Sequence, residues 1–362
     1  MRGVNPSFDL LQSIIEKALK ENYPPSIEVS ISEKGKNIFH KHWGQKYRYW
    51  DVASLTKVMA TTASLMNLYD QKQVNLKKPI SFYLGFMKGT RPGKITVQQL
   101  LTHTSGLSAH EKFYLNLKKI KPHSRTEWLK KKFQTLPVNK SPRAVYSDLD
   151  FIFLGWIIEE LTGLVLEKAV QELSLNPLKL KETRYHPQNK PKYDSSLYAP
   201  TEKCPWRKKI LQGEVHDDNT WVMGGVAGHA GLFSSAKDVE SFGVSMVNSF
   251  KGRRGFVSSK TTKLFLSRAI PHKRGDWTLG FMLPSEEKSS AGDLADKNCV
   301  GHTGFTGVSL WMDVRREIVI TILSNRVNPT RKDERFVALR PRLHDAIWSQ
   351  LLPPPADDED IL

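Results

Sequence analysis

Residues 51–57 read Asp51-Val52-Ala53-Ser54-Leu55-Thr56-Lys57, and an apolar run through Met59, Leu65 and Met66 follows at once. The pattern predicts a long buried helix with Ser54 at or near its start. Residues three apart share a helix face, so the Ser54 hydroxyl and the Lys57 amine are expected to meet. A lysine in a first turn faces the positive end of the helix dipole, which predicts a lowered pKa and a neutral amine able to activate the serine. The spacing itself is common, since Ser234 to Lys237 and Ser285 to Lys288 repeat it. Ser234 and Ser235, however, precede Asp238 as a helix cap would, and Ser285 falls in the polar stretch from Pro284 to Asp296. Of the three, Ser54 alone heads a buried helix.

Working outward, the spacing of Phe8, Leu11, Ile14, Ile15, Ala18 and Leu19 predicts an amphipathic helix rather than a signal peptide. Ile27, Val29 and Ile31 alternate with polar residues, and a turn at Glu33-Lys34-Gly35-Lys36 returns the chain through Asn37 to His40, which predicts a hairpin. Val308 to Met312 and Ile318 to Leu323 flank the polar Asp313 to Glu317 and predict a second hairpin. A last helix follows through Phe336, Leu339, Leu343, Ile347 and Leu351, with a kink expected at Pro341. Between these ends, residues 61 to about 180 carry helical patterns such as Phe151 to Leu161. The expected fold is α/β of the α+β type: an antiparallel sheet formed from both chain ends, flanked by helices, with an inserted, mainly helical part. Residues 1–352 are expected to form a single domain, the sheet part from about 1–60 and 220–352 and the helical part from about 61–219. Residues 353–362 begin with three prolines and are expected to be a disordered acidic tail.

Two further clusters carry chemistry. Tyr146-Ser147-Asp148 leads into the apolar run from Phe151 to Ile158. Alone, Asp148 there reads as a helix cap; beside Ser54 and Lys57, the Tyr146 phenol would have its pKa lowered by a cationic neighbour toward acid/base range. Gly301-His302-Thr303-Gly304-Phe305-Thr306-Gly307 runs straight into the strand at Val308, and its glycines are expected to admit the main chain of a ligand.

In this order, Ser54-Leu55-Thr56-Lys57, Tyr146-Ser147-Asp148 and His302-Thr303-Gly304 resemble the class C β-lactamase family and its relatives, the serine D,D-peptidases, D-aminopeptidases and related esterases. The resemblance covers nearly the whole chain. Leu100 to Leu107 is similar to the family's characteristic helix end, which accounts for His103 and Ser105 without a Ser-His catalytic pair. The resemblance implies that Ser54 forms an acyl-enzyme, that Lys57 with Tyr146 shuttles its proton, and that the N–H groups of Ser54 and Phe305 hold the oxyanion. It places Asp148, His302, Thr303 and Gly304 in substrate binding. Gly213 to Asp217 and Gly224 to Phe233 are similar to a branch associated with peptidoglycan fragments, with His229 and Ala230 expected to line the site. The chain departs from the β-lactamase pattern at Asp148, where Asn is usual, and at His302, where Lys is usual. Without that permanent cation a carboxylate is held less well, which moves the expectation away from penicillin hydrolysis. The leading expectation is hydrolysis of an amide in a peptidoglycan-derived peptide or muropeptide. A carboxylesterase, a β-lactamase and a non-catalytic binding protein keeping the fold are the alternatives.

Composition bounds the remaining classes. With 39% hydrophobic and 25% charged residues the 362-residue chain is ordinary globular protein, and no apolar run reaches the ~18 residues that would span a bilayer. The glycine-rich stretch lacks the Gly-Lys-Ser/Thr of a phosphate loop and the spacing of a dinucleotide fold, so no cofactor is expected. His216, Asp217 and His229 lack the ligand spacing of zinc enzymes, so no metal is expected. Cys204 and Cys299 stand far apart, consistent with a reducing compartment and a cytoplasmic location. Lysine and arginine outnumber acids by 54 to 37. They occur along the chain without a nucleic-acid motif, so the surface reads as merely basic. The expected partner is a small-molecule or peptide substrate, with no nucleic acid and no membrane span.

Overall fold

The computed structural model describes residues 7–21, 23–186, 194–253 and 255–352; the expected acidic tail lies outside them. Five antiparallel strands form the main sheet in the order Lys36–Gly44, Ser26–Glu33, Ile318–Ser324, Val308–Asp313, Val300–Gly304. The two predicted hairpins are therefore joined along their inner strands, with Val29 opposite Ile322 and Ile31 opposite Ile320. The strand 318–324 is central and buried along its whole length, because alternate side chains enter two different cores. Ile318, Ile320 and Ile322 pack with Leu11, Ile15, Leu343 and Ile347 of the terminal helices Asp9–Lys20 and Arg335–Leu351. Val319 and Leu323 face the other core, where the helix Ala236–Phe250 crosses the sheet. That crossing is close: a side chain at Gly243 would place its Cβ 2.5 Å from Val319 Cγ1. The last helix continues through Pro341.

Between the hairpins the chain is mainly helical, with short strands at Arg184–Tyr185, Lys203–Cys204 and Lys209–Ile210. Its central helix, Asp148–Thr162, is buried from Leu149 through Ile158 and ends at Gly163, whose φ of 68° suits glycine. Ser54 lies beside the helix start, as expected: its turn leads into a helix from Leu55 that is wound as a π-helix over Lys57–Thr62. One local expectation is corrected. Asp148 is not the cap of its helix: Ser147 accepts the Leu149 N–H in that role, and Asp148 is free to turn toward Lys57. The Ser235 cap and the loop position of Ser285 agree with the sequence reading. Among the described residues no helix is long and apolar enough to cross a membrane.

If the central strand carries the sheet, Ile322→Ala should lower unfolding free energy by about 3 kcal/mol in urea titrations, as a methyl-rich cavity opens between strand and terminal helices. Lys36→Ala, on the exposed edge strand, should change it by less than ~0.5 kcal/mol.

Candidate active site

One buried carboxylate assembles three segments around Ser54. Asp51 accepts the Ala53 N–H at 2.9 Å and the His216 N–H at 2.7 Å, while its carbonyl accepts the Thr306 hydroxyl at 2.7 Å. The serine turn, the loop at 216–218 and the turn after the edge strand thus meet at one residue. Ala53 takes a left-handed conformation, with φ 46°, to aim Ser54 out of the turn. Gly304 is needed for the same close fit, since a Cβ there would lie 2.8 Å from the Val52 carbonyl. This replaces the expectation that the glycine clears room for a ligand.

Lys57 is fully buried, and its ammonium has three acceptors: Ser54 Oγ at 3.0 Å, Asp148 Oδ1 at 2.7 Å and the His229 carbonyl at 3.2 Å. An ammonium has three protons, so its donor capacity is filled. Burial would favour the neutral amine, but the charge of Asp148 and the contact with Tyr146 outweigh it and raise the pKa. The expected lowering by the helix dipole is therefore corrected: a full negative charge at contact distance exceeds a half-charge at a helix end. Asp148 in turn is held well below the carboxylate range. Its burial is overcome by Lys57 and by a hydrogen bond from His110 Nδ1 at 3.2 Å.

The Tyr146 ring lies under the Lys57 ammonium, 4.8 Å from Nζ to its centroid. Burial dominates its titration and raises the phenol pKa despite the cation, which corrects the expected lowering. Its backbone is pinned on both sides by His103: Val145 N–H donates to the His103 carbonyl at 2.9 Å, and Ser147 N–H to His103 Nδ1 at 3.2 Å. The His103 ring also packs edge-on against Tyr146, with centroids 4.8 Å apart. The buried Asp150 carboxyl also lies 2.9 Å from His103 Nδ1. Burial pushes the Asp150 pKa up and the His103 pKa down. His302 is buried behind Tyr146, with ring centroids 5.8 Å apart; its Nδ1–H donates to the Thr303 carbonyl at 2.7 Å, and burial, then the Lys57 charge, pushes its pKa down to about 3.

A cavity of about 370 Å³ opens over Ser54, lined by Tyr146, Asp148, His229, Ala230 and Phe305 from the predicted set. Lys57, His302, Thr303 and Gly304 do not line it; Lys57 lies beneath Ser54 and the others form the edge strand behind. Ala53, His216 and Asp217 also line it, as do Ala109, His110, Asp218 and Arg331, which were not signalled by the sequence. Arg331 bonds Glu202 and Asp218, and Glu202 also pairs with His216, whose ring stacks on Phe305. Asp148, Asp217 and His229 bring ligand atoms within 4.8 Å of one another, so these three, and not the His216 set, could hold a cation. Their donor atoms are already engaged: Asp148 by Lys57 and His110, and Asp217 by the Thr220 N–H and His229 Nε2. A larger cavity, about 590 Å³, lies behind the backbone at Ala227 and Gly228 and contains none of the predicted site residues.

The β-lactamase family model matches residues 11–341, and the chain belongs to that family of serine hydrolases. It is 29% identical over 358 residues to an N-acetylmuramyl-L-alanine amidase of Bacillus subtilis, covering 87% of this chain and 80% of the relative. It is 29% identical over 379 residues to a putative D-alanyl-D-alanine carboxypeptidase of Salmonella gallinarum, covering 91% and 86%. Among solved structures, the fold is shared with EstCE1, a hydrolase with promiscuous acyltransferase activity, at a TM-score of 0.72 and 17% identity over 93% of this chain and 97% of that one. It is shared too with the octameric penicillin-binding protein homologue from Pyrococcus abyssi, at a TM-score of 0.68 and 18% identity over 92% and 76%.

Removing Asp148 would leave the Lys57 ammonium buried without its counter-charge. Asp148→Ala is expected to cost about 3–5 kcal/mol of unfolding free energy at neutral pH. The carboxyl pKa is depressed in the fold, so its contribution is complete above the unfolded value of about 4 and fades as pH falls below it. Denaturant titrations should therefore show a wild-type advantage that is constant above about pH 5 and shrinks in acid.

Proposed function

We propose that this serine hydrolase cleaves an amide in peptidoglycan-derived peptides or muropeptides through an acyl-enzyme on Ser54. The observation that carries this reading is the hydrogen bond from Lys57 to the hydroxyl of Ser54 at the floor of an open cavity, with Tyr146 beside both. Attack by Oγ on the carbonyl carbon forms the ester. The Tyr146 oxygen takes the serine proton as the phenol gives its own to the departing nitrogen, so the amine leaves neutral and Lys57 keeps its proton throughout. Water then adds to the ester, its proton returns by the same phenol to Ser54, and the acid is released. Lys57 remains positive at rest and stabilises charge developing on Tyr146, while Ser54 and Phe305 offer N–H groups to the oxyanion. His103 acts as the positioning residue for Tyr146.

The substrate class rests on the names of the two relatives and on pocket charge. Around Ser54 the described cations are committed, Lys57 to Asp148 and Arg331 to Glu202 and Asp218, and His302 is neutral. A free carboxylate next to the scissile bond therefore finds no partner, which favours an internal amide over a terminal D-alanine and disfavours penicillins. The same lack of charge supports esterase activity as the second reading. The site draws on the sheet and the helical part together, in keeping with residues 1–352 as one catalytic unit.

Intact-protein mass spectrometry after incubation with a muramyl-L-alanyl peptide, a peptide ending in D-Ala-D-Ala, nitrocefin and a short p-nitrophenyl ester tests this. A muropeptide acyl adduct on Ser54, absent in Ser54→Ala and accompanied by turnover, is expected. Turnover of the ester alone would replace the amidase reading with the esterase one. Tyr146→Phe should lower kcat by about 10²–10⁴-fold, and adding His103→Ala to it should have little further effect.

A further inference from the structure

Although basic residues occur along the whole chain, their excess does not. Between residues 71 and 143 there are 16 lysines and arginines against two acids, Glu111 and Glu127, a net +14 out of the total of +17. The remaining 289 residues are nearly neutral. Folding gathers this segment, because the helix Pro122–Gln134 packs against the turns Gly85–Met87 and Pro92–Lys94. None of the 16 cations forms an ion pair with a carboxylate among the described residues, whereas Arg207, Arg253, Arg316 and Arg331 elsewhere all do. Arg125 and Lys130 are half-buried, Arg125 on the Leu117, Ile120 and Val222 carbonyls, and the other 14 are exposed; an excess of this size is not a neutral background.

The basic face adjoins the cavity over Ser54. Asn139 N–H donates to the Gly106 carbonyl at 2.8 Å and Asp148 N–H to the Ala109 carbonyl at 2.9 Å, so two segments run side by side into the pocket wall. Ala109, His110 and Tyr146 on them line the cavity, while on the same two segments Lys112, two residues past His110, and Lys140 and Arg143, ahead of Tyr146, are exposed. Charge is thus divided by position: the pocket holds Asp148, Asp217 and Asp218 with committed cations, and the free cations lie beyond its rim.

We propose that the face built by residues 71–143 is a docking surface for a polyanionic glycopeptide, whose peptide carboxylates lie on Lys112, Lys140, Arg143 and the lysines beyond while an uncharged amide enters the pocket. The proposal rests on the peptidoglycan reading above and adds what that reading leaves open, namely where the substrate's negative charge is held. A glycopeptide is preferred over nucleic acid because the surface ends at a reactive serine. A ligand seated there must present an acyl bond, and a phosphodiester chain has none.

The test compares wild type with the triple variant Lys112→Gln, Lys140→Gln, Arg143→Gln on a carboxylate-bearing muropeptide, on the same muropeptide with its carboxyls amidated, and on a neutral p-nitrophenyl ester. KM for the acidic muropeptide should rise about tenfold in the variant, and in wild type should rise between about 20 and 300 mM salt. The amidated substrate and the ester should be unaffected by either change. Equal effects on acidic and amidated substrates, or no effect on either, overturn the proposal. Separately, Ser54→Ala protein should cosediment with purified sacculi, and the triple variant should do so less. Tighter binding to a 20-bp DNA duplex or to phosphatidylglycerol vesicles overturns the choice of partner. Salt-sensitive binding to sacculi without muropeptide hydrolysis would sustain the surface and refute the amidase reading, so the two failures are distinguishable.

Discussion

A fully buried ammonium is the constraint from which this structure follows. Lys57 has no solvent contact, and three acceptors from three parts of the chain hold its charge: Ser54 Oγ, Asp148 and the carbonyl of His229. Losing any one leaves a desolvated proton unbonded, at a cost of several kcal/mol for a charged group. The helix after Ser54, the start of the helix at Asp148 and the glycine-rich loop at 224–231 must therefore close on one point. The loop is held from behind as well, by the bond from Thr61 Oγ1 to the Gly228 carbonyl.

The sheet supplies the other half of the site. Its edge strand brings Phe305 to the cavity mouth, and Asp51 ties that turn to the serine turn and to the loop at 216–218. Because the Asp51 carbonyl accepts the Thr306 hydroxyl while its carboxylate holds the Ala53 N–H, the serine turn is tied to the end of the edge strand. The Asn-to-Asp and Lys-to-His departures from the β-lactamase pattern form one electrostatic design. Asp148 fixes the charge on Lys57, and a neutral, buried His302 avoids a second cation beside it.

The hairpins, the terminal helices and the neighbourhood of Ser54 were legible in sequence because each is written in a short local period, or in a motif whose company distinguishes it. Ser54 stood apart from Ser234 and Ser285 only through the buried helix behind it and the partners Tyr146 and His302-Thr303-Gly304. The direction of the Lys57 pKa was not legible, because it is set by a carboxylate 91 residues away, and local reasoning saw only the helix dipole. Nor was His110, an ordinary histidine until its ring meets Asp148, or Arg331, which reaches the pocket from beyond the last strand. The burial of His302, and with it the loss of any charge there, likewise required the packing of Trp277 and Tyr146 around it.

The central claim is that Lys57 is held as an ammonium by Asp148 while it donates to Ser54. The most direct measurement is an NMR titration of Lys57, observed through its labelled side-chain nitrogen and ε-carbon and assigned by comparison with Lys57→Arg. The account predicts that this lysine stays protonated up to about pH 10 in the wild type and titrates at lower pH in Asp148→Asn. A wild-type Lys57 that loses its proton near neutral pH would contradict it.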